Sequence, residues 1–244
     1  MNKSADYEFT VIVPVYNEED NMPQLEKRLS EFLLRSIKKT MVLFVDDGSK
    51  DNSLSLIKEI CNRNEDFHYL ALSRNSGLSA AMKAGIDYVE SPLTGYIDAD
   101  LQTDPEDFNL LLAESGEYEL VIGIRANRKD SMFKNLQSKI ANGFRRKMTH
   151  DEALDTGCPL KVMHTENARK VPFFTGMHRF LPALFLLQDA RMKQIPVRHY
   201  PRTAGVSKYN LRNRLVAPFL DCFAYRWMKK RYIDYRVGES DLDN

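Results

Sequence analysis

The sequence predicts an α/β fold: a doubly wound, mostly parallel sheet in the first half, followed by a helical, basic second half. Three observations carry this. Apolar, β-branched runs recur five times before residue 126. Segments with helical periodicity separate them. Beyond Arg125 the alternation stops and basic residues accumulate. Strands that read as continuous apolar runs are buried on both faces, as in parallel sheets with helices above and below.

Each element has its own justification. "FTVIVPVY" (9–16) is the first such run. The helix after it is expected to be capped by Asn17 and to bury Leu25, Leu29, Phe32 and Leu33 on one face. "MVLFVDD" (41–47) is the second strand, followed by a helix with Leu54, Ile57 and Ile60 at helical spacing. "FHYLALS" (67–73) precedes a helix of small residues, "SGLSAAMKAGIDYVES". "TGYIDAD" (94–100) is the fourth strand, and Asp104-Pro105 opens the next helix. "YELVIGIR" (118–125) is the fifth. In the second half, residues 126–150 read as a basic helix, 151–165 as a short hairpin and 171–190 as helical. Residues 194–202 read as an edge strand limited by Pro196 and Pro201, and 210–236 as a basic, aromatic helix. The chain is expected to be a single domain over 1–244, with a nucleotide-binding half (1–125) and an acceptor-side half (126–244).

Composition narrows the function classes. Hydrophobic residues make up 43% and charged ones 28%, with a net charge of +1. That is an ordinary globular balance, and it excludes wholesale nucleic-acid coating. The three cysteines lack zinc or redox spacing and read as free thiols. The five histidines show no metal-ligand spacing. No run approaches the ~20 apolar residues that span a bilayer, and the N-terminus lacks an apolar leader core. The expectation is a protein working on the cytoplasmic side, peripheral to the membrane at most.

In an open parallel sheet, ligands bind outside the carboxyl ends of the strands. Here those ends carry Asn17-Glu18, Asp46-Asp47, Asp98 with Asp100, and Arg125. Carboxylates collected at one rim repel each other unless a cation joins them. Mg²⁺ or Mn²⁺, which prefers carboxylate and phosphate oxygens, is the simple remedy. Asp98 and Asp100, two apart at a strand end, are expected to point to the same side.

Taken together, "VIVPVYNEEDN", "FVDDGSKDNS", "RNSGLSAAMKAGID", "YIDADLQTDPED" and "VIGIR" closely resemble the family 2 inverting glycosyltransferases of GT-A fold. Within them, the chain is most similar to the dolichyl-phosphate mannose synthase type, the polyprenyl-phosphate glycosyltransferases. "DTGCPLKV", "GMHRFLPAL" and "PRTAGVSKYN" extend the resemblance into the second half. It implies transfer of a sugar from a GDP- or UDP-sugar to a polyprenyl phosphate.

The resemblance also implies roles. Pro14, Tyr16 and Glu18 would contact nucleobase and ribose. Asp46 or Asp47 would lie near base or ribose, although Asp47 can instead cap the Ser49-Lys50 turn. Asp100 is the expected metal ligand, with Asp98 second and Gln102 a further ligand or sugar contact. Arg125 would neutralise a phosphate. Arg202, Ser207 and Lys208 would close over the pyrophosphate from a flexible loop. Arg74, Asp155 and Arg179 are placed on the acceptor side.

The acceptor reading has two supports. A hydroxyl acceptor needs a general base, whereas a lipid phosphate is already an anion; the late "ED" pair that usually supplies that base is missing here. Residues 198–236 contain ten Lys or Arg against two acids, interleaved with Phe219, Phe223, Tyr225, Trp227, Tyr232 and Tyr235. Residues 125–147 add eight Lys or Arg against Asp130 alone. Such a pattern suits an anionic membrane surface; it can also bind nucleic acid, a reading set aside here. The transmembrane helices carried by many members of that branch are not in this sequence. The rival readings are transfer to a glycan hydroxyl and a non-catalytic nucleotide-sugar-binding domain. Nucleotidyl transfer is discounted because the first loop is acidic. Sugar, nucleobase and oligomeric state are left open.

Overall fold

The computed structural model describes residues 3–125, 143–200, 211–233 and 238–239. Its centre is a seven-stranded sheet: β1 (Phe9–Val15), β2 (Thr40–Asp46), β3 (Phe67–Ala71), β4 (Leu93–Tyr96), β5 (Leu120–Arg125), β6 (Lys161–His164) and β7 (Met192–Val197). The spatial order is β3-β2-β1-β4-β6-β5-β7. The first four in that order are parallel, β6 is antiparallel to both β4 and β5, and β7 returns parallel to β5.

Helices cover both faces, as the double burial of β1 and β2 requires. On one face, α1 (Met22–Leu33), α2 (Ser53–Arg63) and α4 (Phe108–Leu112) pack Leu25, Leu29, Phe32, Ile57 and Phe108 against Val11, Val13, Val42 and Phe44. Gly95 lets Phe9 and Phe108 meet edge to face, with ring centroids 5.3 Å apart, because a Cβ there would stand 2.4 Å from the Phe9 ring. On the other face lie α3 (Leu78–Tyr88), α6 (Thr165–Lys170), α7 (Leu181–Phe185) and the long α8 (Leu211–Lys229). They bury Met82, Ile86, Leu181, Phe185, Cys222 and Tyr225 over Ile12, Leu43, Tyr96 and Ile122. A basic helical stretch at 143–149, α5, precedes β6.

Several expectations are corrected. No hairpin forms at 151–165. A single buried strand, β6, enters the sheet instead and pairs the second half of the chain with both β4 and β5. Residues 171–190 are not one helix but short turns around α7, because Pro182 and the left-handed Gly176 and Asp189 interrupt it. Asn17 does not cap α1; it adopts φ 52°, and the helix begins at Met22 with Pro23 in its first turn. The edge strand forms as β7, Met192–Val197 rather than 194–202, with His199 bridging to Thr103. Asp104 does open its helical turn, accepting the Glu106 amide at 3.2 Å.

Candidate active site

The site begins with the loops after β1 and β2, which are stitched together. Asn17 Oδ1 accepts the Lys50 amide at 2.8 Å, the Asn17 amide donates to Ser49 Oγ at 3.0 Å, and the Glu18 amide donates to Ser53 Oγ at 2.9 Å. Glu18 Oε2 takes the Asn21 side-chain amide at 2.7 Å. These bonds hold Tyr16 and Glu18 at the carboxyl rim, with Pro14 half-buried at the end of β1.

Asp46 and Asp47, both buried, have different surroundings. Asp47 Oδ1 accepts the Ser76 amide at 2.7 Å, while Oδ2 accepts the Gly77 amide at 2.8 Å and Asn75 Nδ2 at 3.0 Å. Its carboxylate thus anchors the turn that starts α3. Asp46 Oδ2 receives the Ser49 amide at 3.2 Å, so the capping of that turn expected of Asp47 falls to Asp46. Asp46 Oδ1 is buried with no hydrogen-bond partner among the described residues. Gly48, at φ +67°, passes so close to the 74–75 backbone that a Cβ would lie 2.6 Å from the Arg74 carbonyl carbon. Arg74 itself is exposed.

The second acidic pair sits past β4, not on it: the strand ends at Tyr96, and Asp98 and Asp100 lie in the following loop, where Leu101 takes φ 57°. The alternation of strand residues therefore does not orient them. Asp98 accepts the Tyr96 hydroxyl. Burial, then the Asp100 charge, push the Asp98 carboxyl up to about 6, against the pull of the Tyr96 bond, Lys161 and Arg125. Asp100 Oδ1 accepts the Gln102 amide at 3.2 Å. The Gln102 carbonyl is held by the Tyr200 amide at 2.9 Å and by His199 Nδ1 at 3.0 Å, leaving its side-chain amide without a partner among the described residues. Asp104, the third acid of the run, is bound to Arg28 at 2.8 Å and Arg198 at 3.0 Å and has a structural part.

Arg125, at the end of β5, is locked to Asp155. Its Nε and Nη2 each donate at 2.8 Å to the two carboxylate oxygens, and its amide donates at 3.2 Å. Although burial alone would depress it, the Asp155 bond and charge hold the guanidinium above its ordinary value. The resemblance implies separate tasks for these two, phosphate and acceptor; the structure makes them a pair. Arg179 ends a turn beside His178, whose Nδ1 lies 3.1 Å from Ser79 Oγ. Burial pushes His178 down to about 3, so its imidazole is neutral at pH 7. Arg202, Ser207 and Lys208 lie outside the described residues.

Two side chains at this site escaped sequence reading. Lys161 is 1% exposed at the start of β6, and Tyr96 is buried opposite it. A lone lysine inside the apolar run "PLKVM" was the available signal, since a buried ammonium needs a reason.

Among the described residues no three His, Cys, Asp or Glu side chains form a metal cage. Two carboxylates and a nearby amide nonetheless fit a hard divalent ion that shares its shell with a ligand's phosphate oxygens.

Comparison with known proteins agrees with this geometry. The chain matches the model of glycosyl transferase family 2 over residues 10–172. It is 33% identical over 210 residues to the dodecaprenyl-phosphate galacturonate synthase of Rhizobium johnstonii, a match covering 84% of this chain and 62% of that protein's length. The fold resembles glucosyl-3-phosphoglycerate synthase from Mycobacterium tuberculosis, solved with Mn²⁺, UDP-glucose and phosphoglyceric acid. The TM-score is 0.67 at 14% identity, covering 99% of this chain and 86% of that one. A mannosyltransferase from Pyrobaculum calidifontis, solved with GDP-Man and Mn²⁺, gives a TM-score of 0.63 at 18% identity, covering 95% and 66%. At such identities the likeness speaks for the fold. With two thirds of its residues matched by the family model and a GT-A sheet carrying the acidic rim, the chain belongs to glycosyl transferase family 2.

Proposed function

We propose that this chain transfers a sugar from a nucleoside diphosphate sugar to a polyprenyl phosphate, inverting the anomeric carbon. The observation that carries the reading is the Asp98–Asp100 pair at the carboxyl rim, whose mutual repulsion asks for a cation. Asp98 and Asp100 would hold Mg²⁺ or Mn²⁺, with Gln102 beside them. When bound, the ion supplies Lewis-acid stabilisation of the leaving diphosphate.

The remaining groups have matching chemistry. Asp46 Oδ1, buried and unpartnered, would accept an N–H of the base or a ribose hydroxyl. Tyr16, Glu18 and Pro14 are assigned to base and ribose on family resemblance. Asp47 fixes the turn at 75–77. Arg125, oriented by Asp155, adds positive charge on the diphosphate side. Arg202, Ser207 and Lys208 are assigned to the pyrophosphate, and Arg74 and Arg179 to the acceptor, on family resemblance. Asp155 is occupied by Arg125 and is poorly placed to serve as a general base. That favours an acceptor that is already an anion over a glycan hydroxyl.

The lipid reading has a second support in α8. Cys222 and Tyr225 face the core, and the Tyr225 hydroxyl donates to the Ala183 carbonyl at 3.1 Å. Phe219, Leu220, Phe223 and Trp227 are exposed, the last at 61%, beside exposed Arg226, Lys229, Lys230 and Arg231. Aromatic anchors flanked by cations suit the interface of an anionic bilayer. No helix among the described residues is long and apolar enough to cross a membrane.

The test is transfer to a polyprenyl phosphate in detergent, with Mn²⁺ or Mg²⁺, across UDP- and GDP-sugars. UDP-galacturonate comes first, after the relative's name. Metal-dependent transfer to the lipid phosphate is expected. Transfer only to glycan hydroxyls, or nucleotide-sugar binding without transfer, contradicts the reading.

A further inference from the structure

Lys161 is hard to explain as a contribution to stability. It stands in β6 between Tyr96 of β4 and Ile122 of β5 in register, at 1% exposure. An ammonium carries three donors. Among the described residues this one donates a single hydrogen bond, to the Cys158 carbonyl, and rests over the Tyr96 ring, 5.7 Å from its centroid. A buried cation so sparsely bonded is costly, and an apolar side chain of similar length would fold at least as well. Something other than stability therefore accounts for a lysine here.

The direction of the contacts indicates what that is. Lys161 sits against the face of Tyr96, where a cation is attracted by the ring's electron density. The same cation draws density from the ring and makes the phenol a stronger donor. That phenol donates to Asp98, the first carboxylate of the acidic loop. Asp98 itself lies beyond the strand, where backbone pairing does not fix its side chain. The sheet thus reaches the loop through one side-chain chain: Lys161, Tyr96, Asp98. Burial works against the Lys161 charge, while Asp98 favours it, and that charge acts on Asp98 alongside Arg125.

We infer that Lys161 and Tyr96 are positioning residues that hold the Asp98 carboxylate in the orientation needed to bind a divalent cation together with a nucleoside diphosphate. Tyr96 orients Asp98 by its hydroxyl; Lys161 fixes the Tyr96 ring and offsets the repulsion within the acidic pair. Neither touches the reacting atoms. The inference rests on the donor-site reading given above and adds to it how the loop is set.

The test is calorimetric titration of UDP and GDP into the full chain with Mn²⁺, for the native protein and for Tyr96→Phe, Lys161→Met, Lys161→Arg and Asp100→Ala. Tyr96→Phe removes one oxygen and leaves the packing. It is expected to weaken Mn²⁺-nucleotide binding by about tenfold, the value of one hydrogen bond to a charged group. Lys161→Met is expected to weaken it similarly while the thermal midpoint holds, and Lys161→Arg to restore most of the affinity. In transfer assays both losses should appear in KM for the donor more than in kcat. If Asp100→Ala loses affinity but Tyr96→Phe and Lys161→Met bind as the native protein does, the positioning role is overturned and the donor site stands. If Asp100→Ala also binds normally, the donor-site reading fails, and the inference with it. A Lys161→Arg protein as weak as Lys161→Met, with Tyr96→Phe unaffected, would make Lys161 a packing residue only and would likewise overturn the inference.

Discussion

The two acidic pairs that follow β2 and β4, on either side of β1, look alike in sequence and behave oppositely. Asp47, after β2, has both oxygens filled by the 75–77 segment, and Asp46 spends one oxygen on Ser49. The Asp98–Asp100 pair, after β4, lies in a loop, and its first carboxyl is raised to about 6 by burial and its neighbour's charge. The first pair builds the rim; the second is the one proposed to hold a cation. Paired aspartates beyond a strand end thus do not by themselves say which task they perform. What decides is whether backbone amides arrive to satisfy them, and in Asp47's case those amides come from the next βα unit.

That contrast can be broken most forcefully at Asp100. Asp100→Ala is expected to lower transfer by about 10²–10³-fold, the scale of losing one centre of transition-state charge stabilisation, while leaving the thermal midpoint unchanged or slightly higher. Kinetics and thermal melts on one preparation check both halves. Asp47→Ala should do the reverse. It strands two backbone amides and the Asn75 side chain, so a loss of about 3 kcal/mol in chemical denaturation is expected.

Smaller effects sharpen the same contrast. Gly48→Ala puts a Cβ against the 74–75 backbone at a φ that side chains avoid, and a loss of about 2 kcal/mol is expected in the same assay. Asp98→Asn tests the second pair by pH. A carboxyl at about 6 when folded and at 3.8 when unfolded makes the folded chain bind more protons between those values. Its ionisation therefore costs stability that is fully lost above about 6 and fully recovered below 3.8. Without metal, Asp98→Asn should melt higher than the native protein at pH 8, and the difference should vanish by pH 3.5.

Much of this architecture is legible in the residues. β1, β2, β3 and β5 follow from apolar runs, and the amphipathic spacing of Leu25, Leu29 and Phe32 is the buried stripe of α1. β6 is not legible: four residues with a lysine among them carry neither the length nor the alternation of a central strand, and only pairing with β4 and β5 reveals it. The extent of β4 misleads because Ile97 and Ala99 are buried and read as strand, although they pack from a loop. Of the candidate site, what is legible in the sequence is the gathering of its residue types at one rim. The partnerships are not. Arg125 with Asp155, Asp104 with Arg28 and Arg198, and Lys161 beneath Tyr96 join positions far apart in the chain, and one sequence carries no signal that pairs them.

The most direct measurement is the affinity of UDP and GDP for the native chain with and without Mn²⁺, repeated on Asp100→Ala. One of the nucleotides is expected to bind with Mn²⁺ and to weaken at least about tenfold, the scale of one lost charged contact, when the metal is withdrawn or Asp100 removed. Equal affinity in all three conditions would contradict a metal-bridged donor at Asp98 and Asp100.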